Sequence, residues 1–213
     1  MIGFTYSSPT HIVFGTNTVS QVGTLMKPYA KKVLLHYGGG SVKRNGVYDT
    51  VVTSLKEAGI AIVELGGVVP NPRYSMVETG IELCKKEQPD AILAVGGGSV
   101  IDSAKAIAGG YYLEGEDLWE DYFVAHRKVT KALPLGVVLT IPAAGSETNS
   151  GTVITNDVTH YKMSMGANCL IPKFAIIDPS IHVSLSKYQT ACGCADIIAH
   201  LLERYFTNTK RVK

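Results

Sequence analysis

Asp196 and His200 stand four residues apart in Ala195-Asp196-Ile197-Ile198-Ala199-His200. On a helix both side chains project from one face, roughly 6 Å apart, where two ligands of one metal ion must lie. A carboxylate and an imidazole suit Fe(II) or Zn(II), but a working site takes three or four protein ligands. Only 13 residues follow His200, and none is His, Asp or Cys. The pair therefore reads as half of a metal site. His11, His36, His126, His160 and His182 have no ligand spacing to this helix and read as surface or core histidines. Cys192 and Cys194 lie about 200° apart around a helix, too far to chelate one ion, and read as buried small apolar residues.

A second kind of chemistry is written in glycine. Gly96-Gly97-Gly98-Ser99 follows an apolar run and opens a helical one, with Asp102 three residues after the serine. Glycines let backbone approach a phosphate closely, and free amides at the positive end of a helix stabilise its charge. Two plainer readings compete: a tight turn, and a capping box made by Ser99 with Asp102. A second cluster, Gly38-Gly39-Gly40-Ser41-Val42-Lys43-Arg44, also sits at a strand end. Two such turns on neighbouring strands would hold the two ends of a dinucleotide. No Asp or Glu lies between Val33 and Val47, and Ser41, Lys43 and Arg44 offer a hydroxyl and cations to an extra phosphate. NADP is therefore expected, with NAD the alternative, unless the two cations merely face solvent.

The third segment, Thr140 to Gly151, is dense in small and hydroxyl residues, Thr148 among them. It suits a loop wrapped against a flat polar ligand, or an ordinary polar loop. Lys162, at the end of the expected hairpin, offers a cation to a phosphate or ribose, or is an ordinary surface lysine.

These residues need a scaffold. Short β-branched runs at 33–37, 60–65, 91–95, 135–141 and 174–177 alternate with helical periodicity at 47–58, 74–86 and 100–108, which predicts an α/β fold with a parallel sheet. Residues 151–165 read as an antiparallel hairpin around Asn156-Asp157. Residues 185–206 read as one amphipathic helix, and the change of character near residue 180 predicts a boundary between residues 1–180 and 181–213.

Composition fits a soluble globular chain: 213 residues, 46% hydrophobic and 18% charged. A net charge of +2 with mixed signs makes no case for nucleic acid or an anionic membrane, and Lys210, Arg211 and Lys213 read as a solvated end. No run approaches the ~18 apolar residues of a membrane span, and Met1 to Thr10 lacks a signal-peptide pattern, so a cytoplasmic location is expected. The four cysteines show no Cys-x-x-Cys spacing, against a disulfide framework or zinc ribbon.

Three motifs in order, Gly96 to Asp102, Pro142 to Asn149 and Thr190 to His200, resemble the iron-containing, or group III, alcohol dehydrogenases. Tyr37-Gly38-Gly39-Gly40-Ser41-Val42-Lys43 is similar to their butanol dehydrogenase branch, whose members often use NADPH. The resemblance covers essentially the whole chain. It implies a dinucleotide-binding α/β domain followed by an all-helical metal domain, of which residues 181–213 would be the incomplete start. It also implies that Gly97, Gly98, Ser99 and Asp102 hold the pyrophosphate, with Asn71, Thr140, Thr148 and Lys162 along the cofactor. Gly38, Gly39 and Ser41 would lie near the adenosine ribose, and Asp196 and His200 would be the first two of four metal ligands.

Two departures stand out. Ser186 occupies a position usually held by proline, which would set the first helical turn. The family also runs to nearly twice this length, and its other two ligands are downstream histidines without counterparts here. The implied activity is hydride transfer between NADP(H) and a primary alcohol or aldehyde, with a divalent metal polarising the substrate oxygen and a homodimer as the assembly. The alternatives are a truncated, non-catalytic dinucleotide-binding fragment and a glycerol or polyol dehydrogenase-like relative. A helix showing Ile197, Ile198, Leu201, Leu202 and Tyr205 is expected to dock on the first domain, dimerise or promote aggregation.

Overall fold

The computed structural model describes Thr5, residues 7–183 and residues 185–207; Lys210, Arg211 and Lys213 lie outside the described residues. The described elements begin with β1 (His11–Phe14), a 3-10 turn (Thr18–Gln21) and α1 (Val22–Met26). The chain continues through β2 (Lys32–Gly38), α2 (Ser41–Arg44), α3 (Val47–Glu57), β3 (Ala61–Val68), α4 (Tyr74–Glu87), β4 (Ala91–Gly96) and α5 (Gly98–Gly110). A π-helical turn (Leu118–Val124), β5 (Leu135–Leu139), β6 (Gly151–Thr155) and β7 (Lys162–Gly166) follow. After a further 3-10 turn come β8 (Phe174–Ile177), α6 (Pro179–His182) and α7 (Lys187–Phe206).

Six strands form one sheet in the order β1-β8-β5-β4-β2-β3, and every pairing in it is parallel. The expected α/β class and crossover pattern are what the structure has. The two glycine turns owe their adjacency to this order. From β2 the chain moves outward to β3, then returns past β2 to β4 and continues the other way through β5. The reversal leaves a crevice beyond the carboxyl ends of β2 and β4, the place where doubly wound sheets bind ligands. Register brings the ends level: His36 pairs with Ala94 and Tyr37 with Val95, while Gly96 pairs with Leu139.

Both faces of the sheet are covered, so its central strands read as continuous apolar runs rather than alternating ones. Leu34, Ile92, Ala94, Val137 and Ala175 pack with Val77 of α4, Ile101 and Ile107 of α5, and Trp119 and Phe123 of the π-helical turn. Val33, Leu35, Leu93, Val95, Val138 and Ile176 pack on the other face with Val22 and Met26 of α1 and Val51 and Leu55 of α3. β6 and β7 form the expected antiparallel hairpin, from Gly151 opposite Gly166 to Thr155 opposite Lys162.

β1 and the π-helical turn escape the sequence pattern. β1 has only four residues, three of them exposed. The turn is started by Asp117, whose carboxylate accepts from the Trp119 and Glu120 amides.

α7 behaves differently from the other helices. It forms where expected, with Ser186 as its N-cap accepting from the Gln189 amide at 3.2 Å. Ser186 has φ −65°, a value that proline also adopts, so the serine keeps the geometry and adds a cap. All of α7 except Gly193 is exposed, with Ile197, Ile198, Leu201 and Leu202 each about half accessible or more. Docking on the sheet domain is not what the described residues show. Cys192 and Cys194, expected to be buried, are exposed, because among the described residues nothing packs against their helix. No helix among the described residues is long and apolar enough to cross a membrane.

Candidate cofactor cleft and metal pair

The crevice at the strand reversal is a cleft of about 580 Å³. Ten of the eleven residues expected at a cofactor line it: Gly38, Gly39, Ser41, Asn71, Gly97, Gly98, Ser99, Asp102, Thr140 and Lys162. Thr148 is the exception. Its hydroxyl donates to the Gly145 carbonyl at 3.4 Å, within the loop and away from the cleft lining. The remaining lining is an apolar floor, including Val42, Val68, Val95, Ile141 and Val153, which suits the flat rings of a nucleotide.

The helix N-terminus at the centre is open. Gly97 is the N-cap of α5 and no side chain caps it, so the capping box of Ser99 with Asp102 does not form. The approach is close: a Cβ on Gly98 would stand 3.0 Å from the Ala144 Cβ. Amides and a positive helix end facing an open cleft are the donor set a pyrophosphate requires. On the far wall Lys162 Nζ donates to Asn71 Oδ1 at 2.8 Å. Asn71 adopts a left-handed backbone, φ +55°, which asparagine tolerates better than most residues.

Asp102 faces the loop rather than standing free. Its Oδ1 accepts from the Ser146 hydroxyl at 2.6 Å and its Oδ2 from the Val153 amide at 3.1 Å. Its carbonyl accepts from the Thr152 hydroxyl at 2.7 Å. Burial pushes its carboxyl upward, opposed by the Ser146 and Val153 hydrogen bonds and by Lys105 and Lys162. Lys105, one turn on, is fully buried. Desolvation lowers it to about 8, against the pull of Asp102 and Glu147. Its spacing of three from Asp102 was the signal available in the sequence, since residues at i and i+3 share a helix face.

Lys43 does not line the cleft. Its Nζ lies 4.4 Å from the Tyr48 ring centre and 4.9 Å from that of Tyr37, and 3.8 Å from Glu64 Oε2. Glu64, on β3, also accepts from the Tyr37 hydroxyl at 2.8 Å and the Tyr48 hydroxyl at 2.6 Å. These bonds, Tyr48 first, hold its carboxyl below the usual range, while the Glu64 bond pushes Tyr48 up to about 12. The acidic partner thus comes from the neighbouring strand, outside the Val33–Val47 window.

Two histidines hold the scaffold. His36 is completely buried, its Nδ1 2.8 Å from the Leu65 carbonyl and its Nε2 2.9 Å from the Ser103 hydroxyl. These contacts fit a neutral ring that donates to Leu65 and accepts from Ser103. His182 Nε2 lies 2.8 Å from the Leu139 carbonyl.

The candidate metal pair supplies two donors. Asp196 Oδ1 and His200 Nε2 are 3.7 Å apart on exposed side chains. Bonds of about 2.1 Å in a tetrahedral site would set neighbouring donors about 3.4 Å apart, so the pair is close to chelating distance. Among the described residues, no group of three or more His, Cys, Asp or Glu side chains surrounds a common point. Two donors fit half a site.

Fold and cleft together define a doubly wound nucleotide-binding domain of the α/β class. The iron-containing alcohol dehydrogenase family profile matches residues 9–179, and the chain belongs to that family. It is 45% identical over 210 residues to NADH-dependent butanol dehydrogenase A of Clostridium acetobutylicum, covering 99% of this chain and 54% of that protein. It is 38% identical over 208 residues to the NADPH-dependent aldehyde reductase YqhD of Escherichia coli, covering 97% and 53%. The crystal structure of NADH-dependent butanol dehydrogenase A from Thermotoga maritima superposes with a TM-score of 0.91 at 50% identity, over 96% of this chain and 51% of that one. The chain therefore spans about half the length of the relatives it matches.

Proposed function

We propose that this chain forms the nucleotide half of an alcohol dehydrogenase that passes hydride between a nicotinamide dinucleotide and a primary alcohol or its aldehyde. The carrying observation is that two glycine turns and an uncapped helix N-terminus meet in one cleft at the strand reversal. Gly97, Gly98 and Ser99 would bind the pyrophosphate through backbone amides, and Gly38, Gly39 and Ser41 would border the adenosine ribose. Thr140, Asn71 and Lys162 would flank the remaining length. Residues 1–180 would make up this domain, and 181–213 would begin the helical metal domain. A divalent ion, Fe(II) or Zn(II), bound by Asp196, His200 and further ligands would supply Lewis acidity at the substrate oxygen.

The choice of nucleotide turns on Lys43. The case for NADP rested on Lys43 and Arg44, but Lys43 is engaged by Glu64 and the two tyrosines. NAD(H) is therefore the better-supported cofactor, in line with the relatives named NADH-dependent; Arg44 and Ser41 keep NADP(H) as the second choice. A second functional reading, nucleotide binding without turnover by these 213 residues, is favoured by a metal site with two donors.

The test is direct. NADH and NADPH are titrated into the chain, and butyraldehyde reduction is followed with and without added Fe(II) or Zn(II). Nucleotide binding with metal-dependent turnover supports the enzyme, and binding without turnover supports the second reading. Failure to bind either nucleotide refutes both.

A further inference from the structure

We propose that Lys105 is the positioning residue of the cofactor cleft, an internal cation that fastens the Pro142–Gly151 loop to α5 and so sets the wall facing the pyrophosphate and nicotinamide end. This rests on reading the cleft as a dinucleotide site. The loop between β5 and β6 has no regular ladder of its own, so something else must hold it. Lys105 Nζ lies 2.8 Å from the Asn149 carbonyl, 2.9 Å from Asn149 Oδ1, 2.9 Å from the Gly151 carbonyl and 3.1 Å from Ser146 Oγ. Four oxygens surround a group with three N–H bonds, so at least one bond is shared. All four belong to the loop or the first residue of β6.

The cation does not act by itself. Ser146, buried, accepts from Lys105 and donates to Asp102 Oδ1, while Asp102 Oδ2 and its carbonyl take the Val153 amide and Thr152 hydroxyl. Two opposite charges one turn apart on α5 thus grip successive parts of one segment. Thr140, Ile141, Ala144 and Val153, which flank or belong to that segment, line the cleft, whereas Lys105 itself does not. Ala144 lies against the Gly98 turn, so loop position fixes the room left beside the helix N-terminus. An apolar side chain at 105 would take this donor from the Asn149 and Gly151 carbonyls, while Asn149 Oδ1 would keep only the Gly151 amide, 3.0 Å away.

The experiment compares the native chain with Lys105→Met, Lys105→Arg and Ser146→Ala. Affinities for NADH and for AMP are measured by titration, and hydrogen exchange is followed by mass spectrometry in the ligand-free protein. Lys105→Met should weaken NADH about tenfold, leave AMP within about twofold because the Gly38–Ser41 turn is untouched, and speed exchange in residues 142–151 but not in β4. Lys105→Arg, which keeps the charge, should recover part of the NADH affinity. Ser146→Ala should speed loop exchange even where Lys105→Met does not fold, and unchanged loop exchange in Ser146→Ala would then overturn the proposal. So would a folded Lys105→Met chain that binds NADH as the native one does, or loses NADH and AMP equally. If the native chain binds no nucleotide, the cofactor reading fails, and loop exchange still decides the role of Lys105.

Discussion

Lowering the pH should destabilise this domain in part through one buried histidine. Complete burial lowers His36 from 6.5 to about 4, only partly offset by its hydrogen bond to the Leu65 carbonyl. The unfolded chain then takes up a proton near pH 6.5 that the folded chain refuses until about pH 4. Folded stability from this group is fully present above pH 6.5 and is lost as pH falls from there toward 4. Two and a half pH units at 1.36 kcal/mol each set a ceiling of about 3.4 kcal/mol, with about 2 kcal/mol already lost at pH 5. Carboxylates also contribute to acid unfolding, so the quantity to measure is a difference. Urea unfolding of the native chain and of His36→Gln, followed between pH 8 and pH 5, should give a native curve that falls about 2 kcal/mol further than the variant's. His36→Gln should itself be less stable at pH 8, because a glutamine amide cannot reproduce both contacts of the ring. Parallel curves for the two proteins would refute the assignment of a buried neutral imidazole at this position.

Other perturbations address the cleft and its surroundings. Glu64→Gln should release Lys43 and shift the ratio of NADPH to NADH affinity upward by about threefold to tenfold, as measured by paired titrations; an unchanged ratio would show that Lys43 does not reach the nucleotide. Gly98→Val should reduce nucleotide affinity by more than about tenfold, since its Cβ already meets Ala144 at 3.0 Å and the larger side chain must displace the loop or fill the cleft. Replacing both Asp196 and His200 by alanine should abolish Zn(II) uptake measured by chelator competition, yet change urea stability by less than about 0.5 kcal/mol because both side chains are exposed. Ser54→Ala should cost about 2 kcal/mol in the same unfolding assay, because Ser54 accepts from the Gly23 amide and donates to the Ser20 carbonyl.

The parallel sheet could be read from the chain because burial on both faces leaves continuous apolar strands such as Ala91 to Val95, and the crossover helices keep their own period. The glycine turns could be read because their chemistry is local: strand end, small residues, helix start. The features without a local signal depend on neighbours distant in sequence. β1 is recognisable only beside β8, Glu64 meets Lys43 only because β3 lies next to β2, and Lys105 gains its role only when the loop folds back over α5. Thr148 shares its segment with residues that line the cleft, but composition cannot say which hydroxyl turns inward. The cysteines of α7 are exposed against the general tendency of cysteine toward burial, because that tendency says nothing about whether a helix has a neighbour.

The pairing of β1 with β8 also sets a clock. Phe14 meets Ile177 and His11 meets Phe174, so the first described strand must wait for the last described one. At ~5–20 residues per second, the roughly 160 residues between them take about 8–30 s to synthesise. During that interval β1 has no partner strand, and β5, once made, lacks β8, which leaves unpaired hydrogen-bonding edges open to other nascent chains. Slowing translation upstream of Phe174 should therefore favour aggregation of the growing chain, and a binding factor that shields the first fourteen residues should suppress it.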